Sequence, residues 1–230
     1  MPPDLCRLYG LSTHYRHPSI ANASLASGRN GAAEKKSWEK PLVFEIIELK
    51  TLYSGWTKFL IAQVQTPGGG TVHREIEDHG AAACVLPYDS KRRTAILVRQ
   101  FRAPVRMMGE EQDILEAIAG IVEKELPALT AKREAQEEAG LRLGELEPAG
   151  THWTAPGIST ERMTLFLAPY HETNRVGDGG GLDHEHEQIA VVEIGLDELA
   201  NRADHGELND LKTFALVQTL RLRRPELFGI

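Results

Sequence analysis

From Val43 onward the chain repeats short runs rich in branched and aromatic residues, each bounded by turn residues. Runs at 44–49, 56–64, 71–76, 82–86 and 94–98 have strand length and composition. Thr66-Pro67-Gly68-Gly69-Gly70 and Tyr88-Asp89-Ser90-Lys91 fall between successive runs and predict hairpin loops. The first half therefore reads as mostly antiparallel sheet. A loop through Ala119 to Leu126 then leads to a helix predicted over 127–139. Strands follow at about 147–153, 162–168 and 188–193, with amphipathic helices near 196–203 and 210–222. Gly177-Asp178-Gly179-Gly180-Gly181 reads as a mobile loop ahead of the last strand. The pattern predicts an α+β fold with helices packed on sheet.

The helix at 127–139 has an unusual polar face. Pro127 suits the first helical position, where its missing N–H matters least, and Gly140 suits the position just past the end. Ala128, Ala131, Ala135 and Ala139 make a stripe of small side chains able to press against a sheet. Opposite them, Glu134, Glu137 and Glu138 project together, which costs roughly 0.2 to 0.5 kcal/mol per like-charge pair. The last two also sit in the final turn, where the helix dipole disfavours anions. Two readings fit the helix alone: a solvated end with surplus glutamates, or carboxylates gathered for a hard divalent cation.

Composition narrows the setting. The 230 residues allow one sizeable globular domain with a smaller appendage. No apolar run approaches the length of a membrane span, and a net charge of -7 disfavours nucleic acid as partner. An anionic substrate would then need a bridging cation. Cys6 and Cys84 make neither a disulfide framework nor a CxxC site, which fits a reduced cytoplasmic setting. Residues 1–40, acid-poor and without periodicity, read as a disordered tail, a variable leader being preferred to a transit peptide.

Gly120, Glu125 and Arg133-Glu134-Ala135-Gln136-Glu137-Glu138-Ala139-Gly140-Leu141 resemble the Nudix box, G-x5-E-x7-R-E-U-x-E-E-x-G-U. Every fixed position from Glu125 to Gly140 is present at the family spacing, while Gly120 stands one residue too close to Glu125. The segments Arg74-Glu75, Val98-Arg99-Gln100-Phe101-Arg102, Glu116-Ala117-Ile118-Ala119-Gly120 and Trp153-Thr154-Ala155-Pro156-Gly157-Ile158-Ser159-Thr160-Glu161 are similar to the branch that hydrolyses ADP-ribose and GDP-mannose. Gly179 to Leu182 and Gly206-Glu207-Leu208 most resemble the GDP-mannose enzymes.

The resemblance implies an α/β/α sandwich with a mixed sheet over 79–230, preceded by an antiparallel β subdomain at 41–78 serving dimerisation and substrate. It implies magnesium-dependent, or manganese-dependent, cleavage of the pyrophosphate of a nucleoside diphosphate sugar by a homodimer. Glu134 and Glu138 would be the main metal ligands, Glu137 a shared one and the Ala119 carbonyl a backbone one, with Arg133 orienting the set through Glu125. Glu187, or Glu185 in its place, would be the general base; His184 and His186 between them suggest either a metal site or solvated side chains. Arg102 and Arg74 would hold phosphate or the distal sugar, Glu116 would line the site, and Arg99 is either a substrate ligand or a surface charge. Trp56 or Tyr53 could stack a base, but both are read in preference as buried core aromatics. The alternative is a catalytically weak ligand-sensing or regulatory module, disfavoured because the box carboxylates all remain.

Overall fold

The central strands are apolar on both faces, and packing on each face builds a three-layer core. The computed structural model describes residues 43–110, 113–182 and 188–229. Three strands, β1 (Glu45–Ser54), β2 (Lys58–Gln65) and β3 (Thr71–Asp78), form an antiparallel sheet of their own. The remaining strands are β4 (Ala81–Asp89), β5 (Thr94–Gln100), β6 (Ile114–Glu116), β7 (Ile118–Val122), β8 (Glu147–Trp153), β9 (Arg162–Pro169) and β10 (Ala190–Gly195). They make a mixed sheet in the order β10-β5-β4-β9-β8, with β6 on β5 and β7 on β4. Among the described strands of this sheet, β4 and β9 pair in parallel and the others antiparallel.

The helices are α1 (Ala103–Met107), α2 (Pro127–Ala139), α3 (Leu196–Asp204) and α4 (Leu211–Arg223). Because successive strand residues face opposite ways, β4 serves both layers. Ala83 and Val85 pack with Ala131, Ala135 and Ala139 of α2. Ala82, Cys84 and Leu86 pack with Leu199 of α3 and Leu216 and Leu220 of α4. The sandwich expected from the resemblance is present, and so is the N-terminal antiparallel sheet.

Two local readings change. The segment read as a loop from Ala119 is strand β7 as far as Val122, with Gly120 opposite Ala83 of β4. A five-residue apolar strip ending in a turn carries no alternation of its own; pairing with β4, 33 to 41 residues earlier, makes it a strand. The helix α1 is also unforeseen, being one turn long with a proline in that turn.

The glycine-rich loop is not a free connection over 177–181 either. Gly180 and Gly181 donate to the carbonyls of Glu138 and Glu137 at 2.9 and 3.2 Å, satisfying acceptors left over at the end of α2. A Cβ at Gly179 would meet the Glu138 carbonyl oxygen at 2.4 Å, so a side chain there would push the loop off the helix. Among the described residues no helix is long and apolar enough to cross a membrane.

Candidate active site

The acidic helix is held by its termination. Gly140 adopts φ +65°, and its N–H donates to Gln136 while Leu141 N–H donates to Ala135, at 3.1 and 2.9 Å. This closure fixes the last turn, where Glu137 and Glu138 sit. Glu138 is only 3% exposed although charged side chains are seldom buried. Glu134 and Glu138 line a cavity of about 900 Å³ with Ala119 and Glu125, whereas Glu137 lines a separate depression beside Gln136 and Arg142. The structure thus brings Glu134, Glu138 and Ala119 together and sets Glu137 to one side.

Arg133 binds the acidic face as a fork. It reaches Glu125 at 3.1 Å, Glu134 at 2.7 Å and Glu137 at 2.6 Å. Burial pulls its guanidinium pKa down, but these carboxylates outweigh that and raise it, so Arg133 stays charged. The Glu125 contact crosses from the turn before α2 to its second turn, which is the orientation expected from the box.

A second charged group meets the cavity from the other side. Arg102, at the start of α1, binds Glu116 of β6 side-on, with Nε to Oε1 at 2.7 Å and Nη2 to Oε2 at 3.0 Å. Glu116 is 2% exposed and also receives Lys212 Nζ, which in turn binds Asp210 Oδ1 at 2.9 Å. Burial pushes the Glu116 carboxyl up, yet Arg102 and Lys212 outweigh it and hold it below its ordinary value. Sequence reasoning missed Lys212 and Asp210. They lie about 96 residues from Glu116, and no local spacing links them.

Next to this group an adjoining cavity of about 610 Å³ shares Arg102, Ala119 and Trp56 with the first. Trp56 stacks on His79 with ring centroids 5.4 Å apart. His79 Nδ1 lies 2.5 Å from Glu77 and Nε2 lies 3.2 Å from Glu161, so two carboxylates clamp the imidazole. Burial pushes the Glu77 carboxyl up, but hydrogen bonds with Ser159, Thr57 and His79 outweigh it and leave it lowered. Trp56 and Tyr53 are 78% and 61% exposed, so the reading of both as core aromatics fails. Their strand and turn belong to the small N-terminal sheet, and among the described residues both side chains stay exposed.

The other sequence candidates lie elsewhere. Arg74 on β3 lines a groove with Ile46 and Pro156, and Arg99 on β5 lines another with Met108 and Arg202. Neither touches the cavity of the acidic helix within this chain. The base candidates Glu185 and Glu187, with His184 and His186, lie outside the described residues.

Among the described residues no three His, Cys, Asp or Glu side chains are gathered as a ready cation cage, and Arg133 occupies the acid face. The donors nonetheless fit a hard divalent cation: carboxylates of Glu134 and Glu138 beside the Ala119 backbone, all oxygen. The packing agrees, because a Cβ on Gly120 would lie 1.8 Å from Glu134 Oε1. That strand was left bare where the carboxylate approaches it.

Comparison with known proteins decides the family, since the NUDIX domain profile matches residues 78–214. The chain belongs to the NUDIX family. It is 35% identical over 184 residues to the GDP-mannose pyrophosphatase of Pectobacterium atrosepticum, a match spanning 78% of this chain and 94% of that protein. The GDP-mannose pyrophosphatase of Cronobacter sakazakii is 36% identical over 151 residues, 65% of this chain and 78% of the relative. A crystal structure of an ADP compounds hydrolase superposes with a TM-score of 0.65 at 18% identity, covering 81% of this chain and 97% of that one, and shows a shared fold. NUDIX enzymes generally work with a divalent cation, in keeping with the oxygen donors around Glu134.

Proposed function

We propose that this cavity hydrolyses the pyrophosphate bond of a nucleoside diphosphate sugar, GDP-mannose or ADP-ribose, to a nucleoside monophosphate and a sugar phosphate. One observation carries the reading: Glu134, Glu138 and the Arg102 guanidinium line one cavity, so that acidic oxygens for a cation face a planar donor for phosphate. The activity named for the GDP-mannose pyrophosphatases, which align over most of their length, supports the choice of substrate.

Glu134 and Glu138, with Glu137 as a shared ligand and the Ala119 carbonyl, would hold magnesium, or manganese in its place. When bound, such an ion neutralises charge on the bridging phosphates and makes a water more acidic. Arg133 keeps Glu134 and Glu137 oriented. Arg102 uses Nε–H and one Nη2–H on Glu116, which leaves three N–H donors for substrate phosphate. Glu187 takes the proton of the attacking water, with Glu185 as the alternative position. Full activity in Glu187→Gln together with its loss in Glu185→Gln would move the base by two residues.

The homodimer belongs to this reading. Strand β1 is exposed along its whole length and carries Ile46, Leu49, Leu52 and Tyr53, apolar side chains that a second copy would cover. Arg74 on the same sheet would then serve the site of that second copy. Incubation with GDP-mannose, ADP-ribose and related sugars in magnesium, with nucleoside monophosphate quantified by chromatography, tests the function. Tight binding of these compounds without turnover would favour the sensing module instead.

A further inference from the structure

The four-charge group behind Arg102 is larger than phosphate binding needs. Glu116 alone would orient Arg102, since the side-on pair already fixes two of its donors. Yet Lys212 from α4 reaches the same carboxylate, and Asp210 reaches Lys212 at 2.9 Å. Lys212 and Glu116 are 13% and 2% exposed at their side chains, so both were withdrawn from water. Burying an extra lysine there is costly unless it is fully paired, and it is. Burial pulls the Lys212 pKa down, while Asp210 and Glu116 outweigh that and raise it, so the ammonium stays charged.

The start of α4 is fixed as firmly as the charge. Asp210 caps the helix by accepting Thr213 N–H at 3.0 Å. The Thr213 hydroxyl oxygen, fully buried, accepts the N–H of Ala117, the residue between β6 and β7, at 2.6 Å. Residues 116 and 117 are therefore gripped through both a side chain and the backbone by one helix start.

Charge balance shows what this arrangement does. Glu116 and Asp210 contribute two negative charges, and Arg102 and Lys212 two positive ones. Without Lys212 the group carries a net negative charge directly behind the Arg102 guanidinium, and an incoming polyanion is repelled. With Lys212 in place, Glu116 is neutralised from behind and the outward N–H donors of Arg102 act on the substrate undiminished.

We infer that Lys212 is a positioning residue for substrate binding: it neutralises Glu116 from within the fold so that Arg102 is oriented and electrostatically available to the pyrophosphate. The inference rests on the reading of Arg102 as a phosphate ligand. Lys212 also borders the adjoining cavity; the role inferred for it is exerted through Glu116 and Arg102 and moves no proton.

A double-mutant cycle in the full chain separates this role from a merely structural one. Lys212→Met should raise KM for the nucleoside diphosphate sugar about tenfold while changing kcat little, the signature of lost binding shared by ground and transition states. Arg102→Ala should raise KM at least as much, and adding Lys212→Met to it should bring no further increase. Lys212→Arg, which keeps the charge, should recover most of the affinity. If Lys212→Met lowers the melting temperature too far to assay, Lys212→Gln, which keeps a donor to Glu116, takes its place in the same cycle. An equal KM increase from the Lys212 change with and without Arg102, or a folded variant with unaltered KM, overturns the proposal. Wild-type KM in Arg102→Ala overturns the assignment of Arg102 itself, a failure distinct from either of those.

Discussion

Glu138 and Glu116 are both almost sealed from water, but they answer to different experiments. Glu138 lines the cavity with Glu134, and replacing it by glutamine removes charge without changing shape. Glu138→Gln is expected to lower kcat by about two orders of magnitude or more with the melting temperature nearly retained, because several kcal/mol of charge stabilisation depend on such ligands. Steady-state rates in magnesium check this, and an unchanged rate would remove Glu138 from the ligand set. Glu116 should instead show itself in acid. Its carboxyl is lowered in the folded protein, so the folded state binds fewer protons than the unfolded state as pH falls. The stabilisation is present above the unfolded value, about 4.3, and is lost as pH drops from there through the folded value. Urea titrations at several pH values should show the stability gap between wild type and Glu116→Gln narrowing across that window; a gap that stays constant contradicts the charge network.

Strand β7 and helix α2 meet where Gly120 faces Glu134, and this junction tests the elements together. The three atoms nearest a methyl group at Gly120 all belong to the flexible Glu134 side chain, so the sheet should tolerate it. Gly120→Ala is therefore expected to lower activity about tenfold or more by misplacing Glu134, with a melting temperature within a few degrees of wild type. Equal losses of stability and activity would mean the glycine serves only the sheet. The helix itself was legible in sequence because its apolar stripe, its proline start and its glycine stop agree with one another. Strand β7 was not, since its apolar strip gains strand geometry only from β4.

At the scale of the molecule, the two sheets differ in how they are covered. The mixed sheet is packed by helices on both faces, whereas β1 leaves its apolar side chains in solvent. Light scattering at micromolar concentration is expected to give a dimer mass, and charged substitutions at Ile46 and Leu49 should shift it to the monomer while sparing the hydrolase fold. A monomer in the unaltered protein would leave Arg74 without a site to serve.

The sequence by itself determined the acidic helix, the order of nearly all strands and the α+β class, because periodicity, caps and turn residues are local and additive. The pairing of Arg133 with Glu125 came from the resemblance to the Nudix box, and the structure has the two in contact. Only the tertiary structure decided that Glu137 stands apart from Glu134 and Glu138, that Trp56 is open to solvent against His79, and that Lys212 backs Glu116. Those facts depend on which surfaces meet after distant segments pair, and the energy of a buried charge is set by neighbours that no spacing in the chain encodes.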